Sequence, residues 1–187
     1  MRISREEALR NRARIRRVSG ELFRERGFDG VAVGELMKAA GFTHGGFYNH
    51  FPSKSALAAE AVRDAFERMA ETRAGARNLK ELTAGYLSRA ARDAPAEACP
   101  APSLGGETAR QGPEVREAFA EGLEGLIAAV ESCLPGEGDT AERRARALAV
   151  TARMAGALML SRAVPDDSPL ADELLRAGLP EEDGLGG

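Results

Sequence analysis

An all-α fold is what this 187-residue sequence predicts, on three observations. Apolar residues recur every three or four positions along most of its length, the period of one helix face, and no stretch alternates as a half-buried strand would. Helix-start signatures are spread along it: Ser4-Arg5-Glu6-Glu7 and Asn78-Leu79-Lys80-Glu81 set an acceptor side chain three residues ahead of a Glu, and Asp139 stands likewise before Glu142. Between the periodic stretches lie Gly and Pro, as at Gly112-Pro113 and Pro135-Gly136, which end one helix and start another.

The first helix opens after Ser4 and carries Ile15, Val18, Leu22 and Phe23 on one stripe, with Arg12, Arg16 and Arg17 largely off it. Gly27 ends it, and Phe28 packs under the next two helices. A second helix carries Val33, Leu36, Met37 and Ala40 and ends at Gly41, a residue that adopts left-handed backbone without a Cβ penalty. Phe42 fills the turn. Thr43 caps a third helix bearing Phe47, Tyr48 and His50, which Phe51-Pro52 stops because a residue before Pro is pushed out of the helical region. Helix, tight turn, helix is the helix-turn-helix unit, whose second helix enters the major groove of DNA.

Ser53 caps a long helix with Leu57, Ala61, Val62, Ala65, Phe66 and Met69 on one face, predicted to join head to body. Leu79, Leu82, Tyr86 and Ala90 mark the next, then an irregular linker from Asp93 to Pro102 and a short helix over Ser103 to Gln111. Val115, Phe119, Gly122, Leu126, Ile127 and Val130 form a long amphipathic face after Pro113. From Ala145 to Leu160 the chain is apolar nearly all round, and such a helix needs cover on several faces, one of them from a second subunit. Ser168-Pro169 starts a last short helix with Leu170, Leu174 and Leu175, and the acidic, Gly-rich tail from Pro180 to Gly187 is expected to fray.

Composition narrows the function. No apolar run reaches the ~18 residues of a membrane span, no secretory leader pattern opens the chain, and two Cys are too few for a disulfide framework, so a cytoplasmic protein is expected. The net charge of −3 hides an asymmetry: residues 1–54 hold 11 Lys and Arg against 6 Asp and Glu, whereas residues 55–187 hold 15 against 23. A basic head on an acidic body points to a polyanion at one end. Both histidines fall in the helix-turn-helix segment, no Cys/His spacing fits a metal site, and no Gly-rich loop follows a strand, so an enzyme, a metal and a cofactor are not expected.

Ile15, Leu22-Phe23, Gly27-Phe28, Val33, Ala40-Gly41-Phe42-Thr43 and Phe47-Tyr48-Asn49-His50-Phe51-Pro52-Ser53-Lys54 together resemble the tetracycline repressor (TetR) family of bacterial transcription regulators. Ala98-Cys99-Pro100, Leu104, Glu107, Pro113-Glu114-Val115-Arg116 and Phe119 resemble a branch of it that regulates detoxification genes, some of whose members sense electrophiles or oxidants through a cysteine. The resemblance implies a homodimer of about nine helices per chain. Residues 1–52 would bind DNA, and residues 53–187 would hold an effector and dimerise through the last two helices. One departure is Ala32, where the family often has a capping Ser or Thr.

By position on their helix, Tyr48, His50 and Lys54 are the candidates for phosphate contact, and Thr43, His44, Gly46 and Asn49 for base edges, with Asn49 able to turn to the backbone instead. His50 and Tyr48 could equally be core. Gly45-Gly46 either brings backbone close to DNA or leaves the helix loose until DNA orders it. In the body, Phe66, Met69, Tyr86, Leu104, Phe119, Met154 and Leu158 line an effector pocket or are plain core, and their character suits a small, largely apolar effector. Cys99 lies beside Pro100 before a helix N-terminus, with Arg92 its nearest basic residue in sequence; it is a sensor thiol or inert, and Cys133 is packing.

The leading reading is a dimeric repressor of a palindromic operator, released by a small molecule. A redox or electrophile sensor acting through Cys99, and an effector-less DNA-binding protein, are the alternatives.

Overall fold

The computed structural model describes residues 4–136 and 138–180, so the tail beyond Pro180 lies outside the described residues. Among these there are nine α-helices, one 3-10 helix and no strand. Helix α1 (Arg5–Arg26) starts where the Ser4 hydroxyl accepts the Glu7 N–H at 3.1 Å. It ends at Gly27, whose φ of 76° is left-handed. Helix α2 (Val33–Ala39) lacks a side-chain cap at Ala32, but the Glu35 carboxylate reaches back to the Ala32 N–H at 2.9 Å, half of a capping box. The predicted third helix is a single 3-10 stretch, His44–Asn49. Two Gly and an N-cap Thr43 that makes no side-chain bond leave too little to nucleate an α-helix in six residues.

Helix α3 (Lys54–Arg73) runs from the head into the body, capped by the Ser53 hydroxyl on the Ala56 N–H at 3.0 Å. Helix α4 (Leu79–Tyr86) stops before the expected Ala90, because Ser88 caps a separate short helix, α5 (Arg89–Asp93), through the Ala91 N–H. Helix α6 (Pro100–Thr108) begins three residues earlier than the prolines suggest. Pro100 and Pro102 sit in its first turn, where an N–H has no partner to lose. Helices α7 (Pro113–Cys133), α8 (Thr140–Arg162) and α9 (Pro169–Gly178) complete the body.

One continuous core runs through both parts. Ile15, Phe23, Phe28, Leu36, Phe47, Phe51 and Leu57 seal the head, with the Phe23 and Phe28 rings 5.3 Å apart. Leu104, Leu126, Val130, Met154 and Leu158 seal the body. Each fully buried side chain of this size contributes roughly 1.5–3 kcal/mol. Helix α7 packs against α3 at Gly122, where a Cβ would collide with the Phe66 ring. Phe66 in turn meets Phe119 edge-on at 5.5 Å.

The basic excess of the head is mostly spent inside the molecule. Arg16 pairs with the buried Asp64 of α3 at 2.8 Å, and Arg12 pairs with Glu60. Arg26 pairs with Glu35, and Arg10 and Arg17 pair within α1. Among the described residues of the head, Arg5, Arg14, Arg24, Lys38 and Lys54 are left without an ion pair, Arg24 donating instead to backbone carbonyls.

Candidate nucleic-acid interface and body cavities

The stretch 43–54 divides its side chains between core and solvent. Phe47 and Phe51 are buried, while Tyr48 between them is 72% exposed, its ring edge-on to Phe47 at 5.2 Å. Thr43, His44, Gly45 and Asn49 are exposed, and Gly46, His50 and Lys54 are half-buried. None of the eight candidates is buried. His50 is fixed from two sides: its ring lies 6.0 Å from Phe42, and its carbonyl accepts from the Arg12 guanidinium. Burial first, then the Arg12 charge, lowers the His50 pKa below the ordinary histidine value, so at neutral pH it presents a neutral ring. Lys54 opens α3, where its charge opposes the helix dipole unless an anion is near.

The glycines of this stretch are not demanded by packing. A Cβ at Gly45 would meet nothing, and at Gly46 the nearest atom is the Met37 methyl at 3.7 Å. Arg14 was not among the sequence candidates. It stands exposed beside the turn, its guanidinium over the Phe42 ring at 6.0 Å. Its place on the polar side of α1 was the only signal.

Two of the cavities in the body adjoin each other. One, of about 370 Å³, lies among α3, α4 and α7 and includes Phe66, Arg63, Gly122 and Cys133. The other, of about 320 Å³, brings together Met69, Tyr86, Cys99 and Leu158. Arg73, Ala76 and Leu82 belong to both. Of the pocket candidates, Leu104 and Met154 line neither cavity and are sealed core, and Phe119 sits behind Phe66. Cys99 is buried at the N-cap of α6, and its basic neighbour is Arg73 of α3, whose Nη1 lies 3.9 Å from Sγ. Arg92, the nearest by sequence, is buried elsewhere, donating to the carbonyls of Ser161 and Val164. Cys133 lies 3.9 Å from the Ala76 carbonyl.

Head and body grip each other through α6 and the turn before it. The Glu107 carboxylate accepts the Phe28 N–H at 2.8 Å and occupies the space a Cβ at Gly27 would need. Arg24 of α1 donates to the carbonyls of Pro95 and Ala96. Burial lowers the Arg24 pKa, and the charge of nearby Glu21 opposes that shift. The cavity wall at Cys99 and the grip at Glu107 thus belong to one short helix.

Residues 15–61 match the family model described as bacterial regulatory proteins, tetR family, and residues 75–173 match the model of the LmrA/YxaF-like transcriptional regulator C-terminal domain. An uncharacterized HTH-type transcriptional regulator of Bacillus subtilis (strain 168), YdgC, is 36% identical over 63 residues, 34% of this chain and 32% of that one. The HTH-type transcriptional repressor DhaR of Mycobacterium sp. (strain GP1) is 38% identical over 52 residues, 28% of this chain and 26% of the relative. The chain thus matches no more than about a third of the length of these curated relatives. Among solved structures, the reduced form of NemR from E. coli superposes with a TM-score of 0.72 at 20% identity, covering 91% of this chain and 93% of that one. A TetR transcriptional regulator from Chloroflexus aurantiacus J-10-FL superposes with a TM-score of 0.70 at 26% identity, covering 92% of each.

Proposed function

Because the chain belongs to the TetR family of bacterial transcriptional regulators, with a helix-turn-helix DNA-binding head, we propose that it is a homodimeric repressor released from a palindromic operator by a small molecule held in the body. The observation that carries this reading is the exposed Tyr48 held between two buried phenylalanines. In this reading Tyr48, His50 and Lys54 hold phosphates, through an O–H, a neutral ring N–H and a charge. Thr43, His44 and Asn49 approach base edges, with backbone at Gly45 and Gly46. Residues 1–52, with Lys54 at the start of α3, do this work and residues 53–187 bind effector and dimerise, a division of labour across a shared core.

The dimer contact is the outer face of α8 and α9, where Leu148, Met159, Leu160 and Leu170 are each nearly half exposed. A pair of chains joined there sets two recognition segments about 34–36 Å apart, or a related spacing, on successive major grooves. The effector acts by changing that spacing through α6, which shares the Cys99 cavity and grips the head at Glu107. It must bind the released state more tightly than the DNA-bound one. The test is a gel shift on the upstream intergenic DNA against random duplex, beside a sedimentation measurement. No preference for the upstream DNA, or a strict monomer, ends this reading.

One observation favours a second reading, a thiol-sensing repressor: Arg73 stands 3.9 Å from Cys99 inside a cavity wall. Cys99→Ala should then abolish release by an oxidant or alkylator and leave operator binding intact. Unchanged release returns Cys99 to a packing role.

A further inference from the structure

The cavity of about 320 Å³ is walled largely by apolar side chains, with a corner of different character. Tyr86 is 5% exposed and lines that cavity, and its hydroxyl, sealed from solvent, has no oxygen or nitrogen partner and lies beside the Cys99 thiol. Burial first, then the neighbouring Cys99 thiol, holds the Tyr86 pKa well above the ordinary tyrosine value, so the group remains a donor. Arg73 reaches the same corner. Its Nε donates to the Met69 carbonyl at 2.9 Å, its Nη1 faces Cys99, and among the described residues no carboxylate pairs with it.

Arg162 adds positive charge that acts on both Tyr86 and Cys99. Its own N–H groups go to the carbonyls of Arg92 and Ala91 and to the Ser103 hydroxyl, again with no carboxylate among the described residues. The carboxylate on the cavity wall, Glu81, already accepts from Arg77 and Asn78. Donors and positive charge therefore converge where, among the described residues, the acceptor at hand is the weakly accepting Cys99 sulfur. A buried donor left unmatched is costly, and a hydrogen bond to an ionised partner is about twice as strong as a neutral one.

The geometry points to an effector with an anionic oxygen: a small molecule whose apolar body lies against Met69, Leu82 and Leu158, and whose carboxylate or phenolate accepts from the Tyr86 hydroxyl and the Arg73 guanidinium. This rests on the reading of the body as an effector domain and replaces a wholly apolar effector with an amphipathic one.

Three probes of one shape test it on the purified full-length protein: 2-naphthoate, 2-naphthol and methyl 2-naphthoate. The chain has no Trp, so naphthalene fluorescence is read without tryptophan background. Either the acid, or the naphthol at a pH where it is ionised, should bind about tenfold or more tighter than the ester. Which of the two binds better separates a carboxylate from a phenolate source. Arg73→Gln should lose about tenfold for the anion, and Tyr86→Phe about fivefold, with ester affinity moved by less than about twofold. Tyr86→Phe keeps the ring and removes only a hydroxyl whose neighbour is a weakly accepting thiol, so its melting temperature should equal or exceed that of the parent. An ester that binds as tightly as the anions, no binding by any probe, or anion affinity unmoved by both substitutions overturns the inference. A gel shift keeps the two readings apart. Arg73-dependent binding that leaves the operator complex intact sinks release and upholds the anion site, whereas release by ester and acid alike does the reverse.

Discussion

The outward stretch 43–54 and the cavity corner at Tyr86 both hold polar groups that the chain itself does not use, in opposite settings. Tyr48 and Asn49 stand in solvent, where water satisfies them until a partner arrives. The Tyr86 hydroxyl is cut off from water with only the Cys99 thiol beside it, so its poor pairing costs stability in the empty protein. A surface site is thus nearly neutral for folding, and its loss shows in binding alone. A buried site is entangled with stability, and its loss shows in both.

Adjacent residues offer the sharpest way to break that contrast. Phe47→Ala should cost about 3–5 kcal/mol and remove DNA binding by unfolding the head. Tyr48→Ala should stay within about 0.5 kcal/mol of the parent yet weaken operator binding. Thermal melts beside gel shifts read both, and equal destabilisation by the two would mean that the surface is not a separate site.

Next comes the link between the regions. Glu107→Ala leaves the Phe28 N–H without its acceptor, which should cost about 1–3 kcal/mol. A ligand should still bind this variant, measured by calorimetry, but release operator poorly. Normal release would place the coupling outside α6.

Gly45→Ala tests what the glycines of the stretch 43–54 are for. Open space surrounds that position, so the substitution should stabilise the free protein by about 0.4–1 kcal/mol. Weaker operator binding in the stiffer variant then favours close backbone approach to DNA, and tighter binding favours ordering on contact. Lys54→Ala should remove one phosphate contact, lowering the slope of log affinity against log salt by about 0.9, with folding unchanged or improved by about 0.3–1 kcal/mol.

The smallest effect is that of His50. Its pKa is lowered in the fold, by burial and then by Arg12, so the unfolded chain takes up the proton first on acidification. The stabilisation is fully present above the ordinary histidine value near 6.5 and is lost as pH falls from there through the lowered folded value. Melting curves between neutral and mildly acidic pH should show this slope, and His50→Gln should flatten it.

The head was legible because its signals are contiguous. Gly41, Phe42, the Phe47 and Phe51 pair and Pro52 lie within twelve residues, and each acts on backbone a few positions away. The cavity was legible only in part. Met69, Tyr86, Cys99 and Leu158 are inward positions of their helices, but so are Leu104 and Met154, which the fold seals into core. Helical periodicity says which face is buried, and it does not say where facing side chains fail to fill the space. The basic face of α1 is less free than its sequence suggests for the same reason. The acids that neutralise Arg12 and Arg16 belong to α3, and their approach depends on how two helices cross.

Sequence alone determined the all-helical class and the helix starts capped by Ser4, Ser53, Asn78 and Asp139, since such starts are settled by residues within about four positions of one another. Tertiary structure alone decided that Arg73 rather than Arg92 stands by Cys99, that Arg24 holds the turn before α6, and that Tyr86 lacks an oxygen or nitrogen acceptor. Those pairs are 26 and 72 residues apart in the chain, and only packing determines which distant groups meet or are left with nothing to meet.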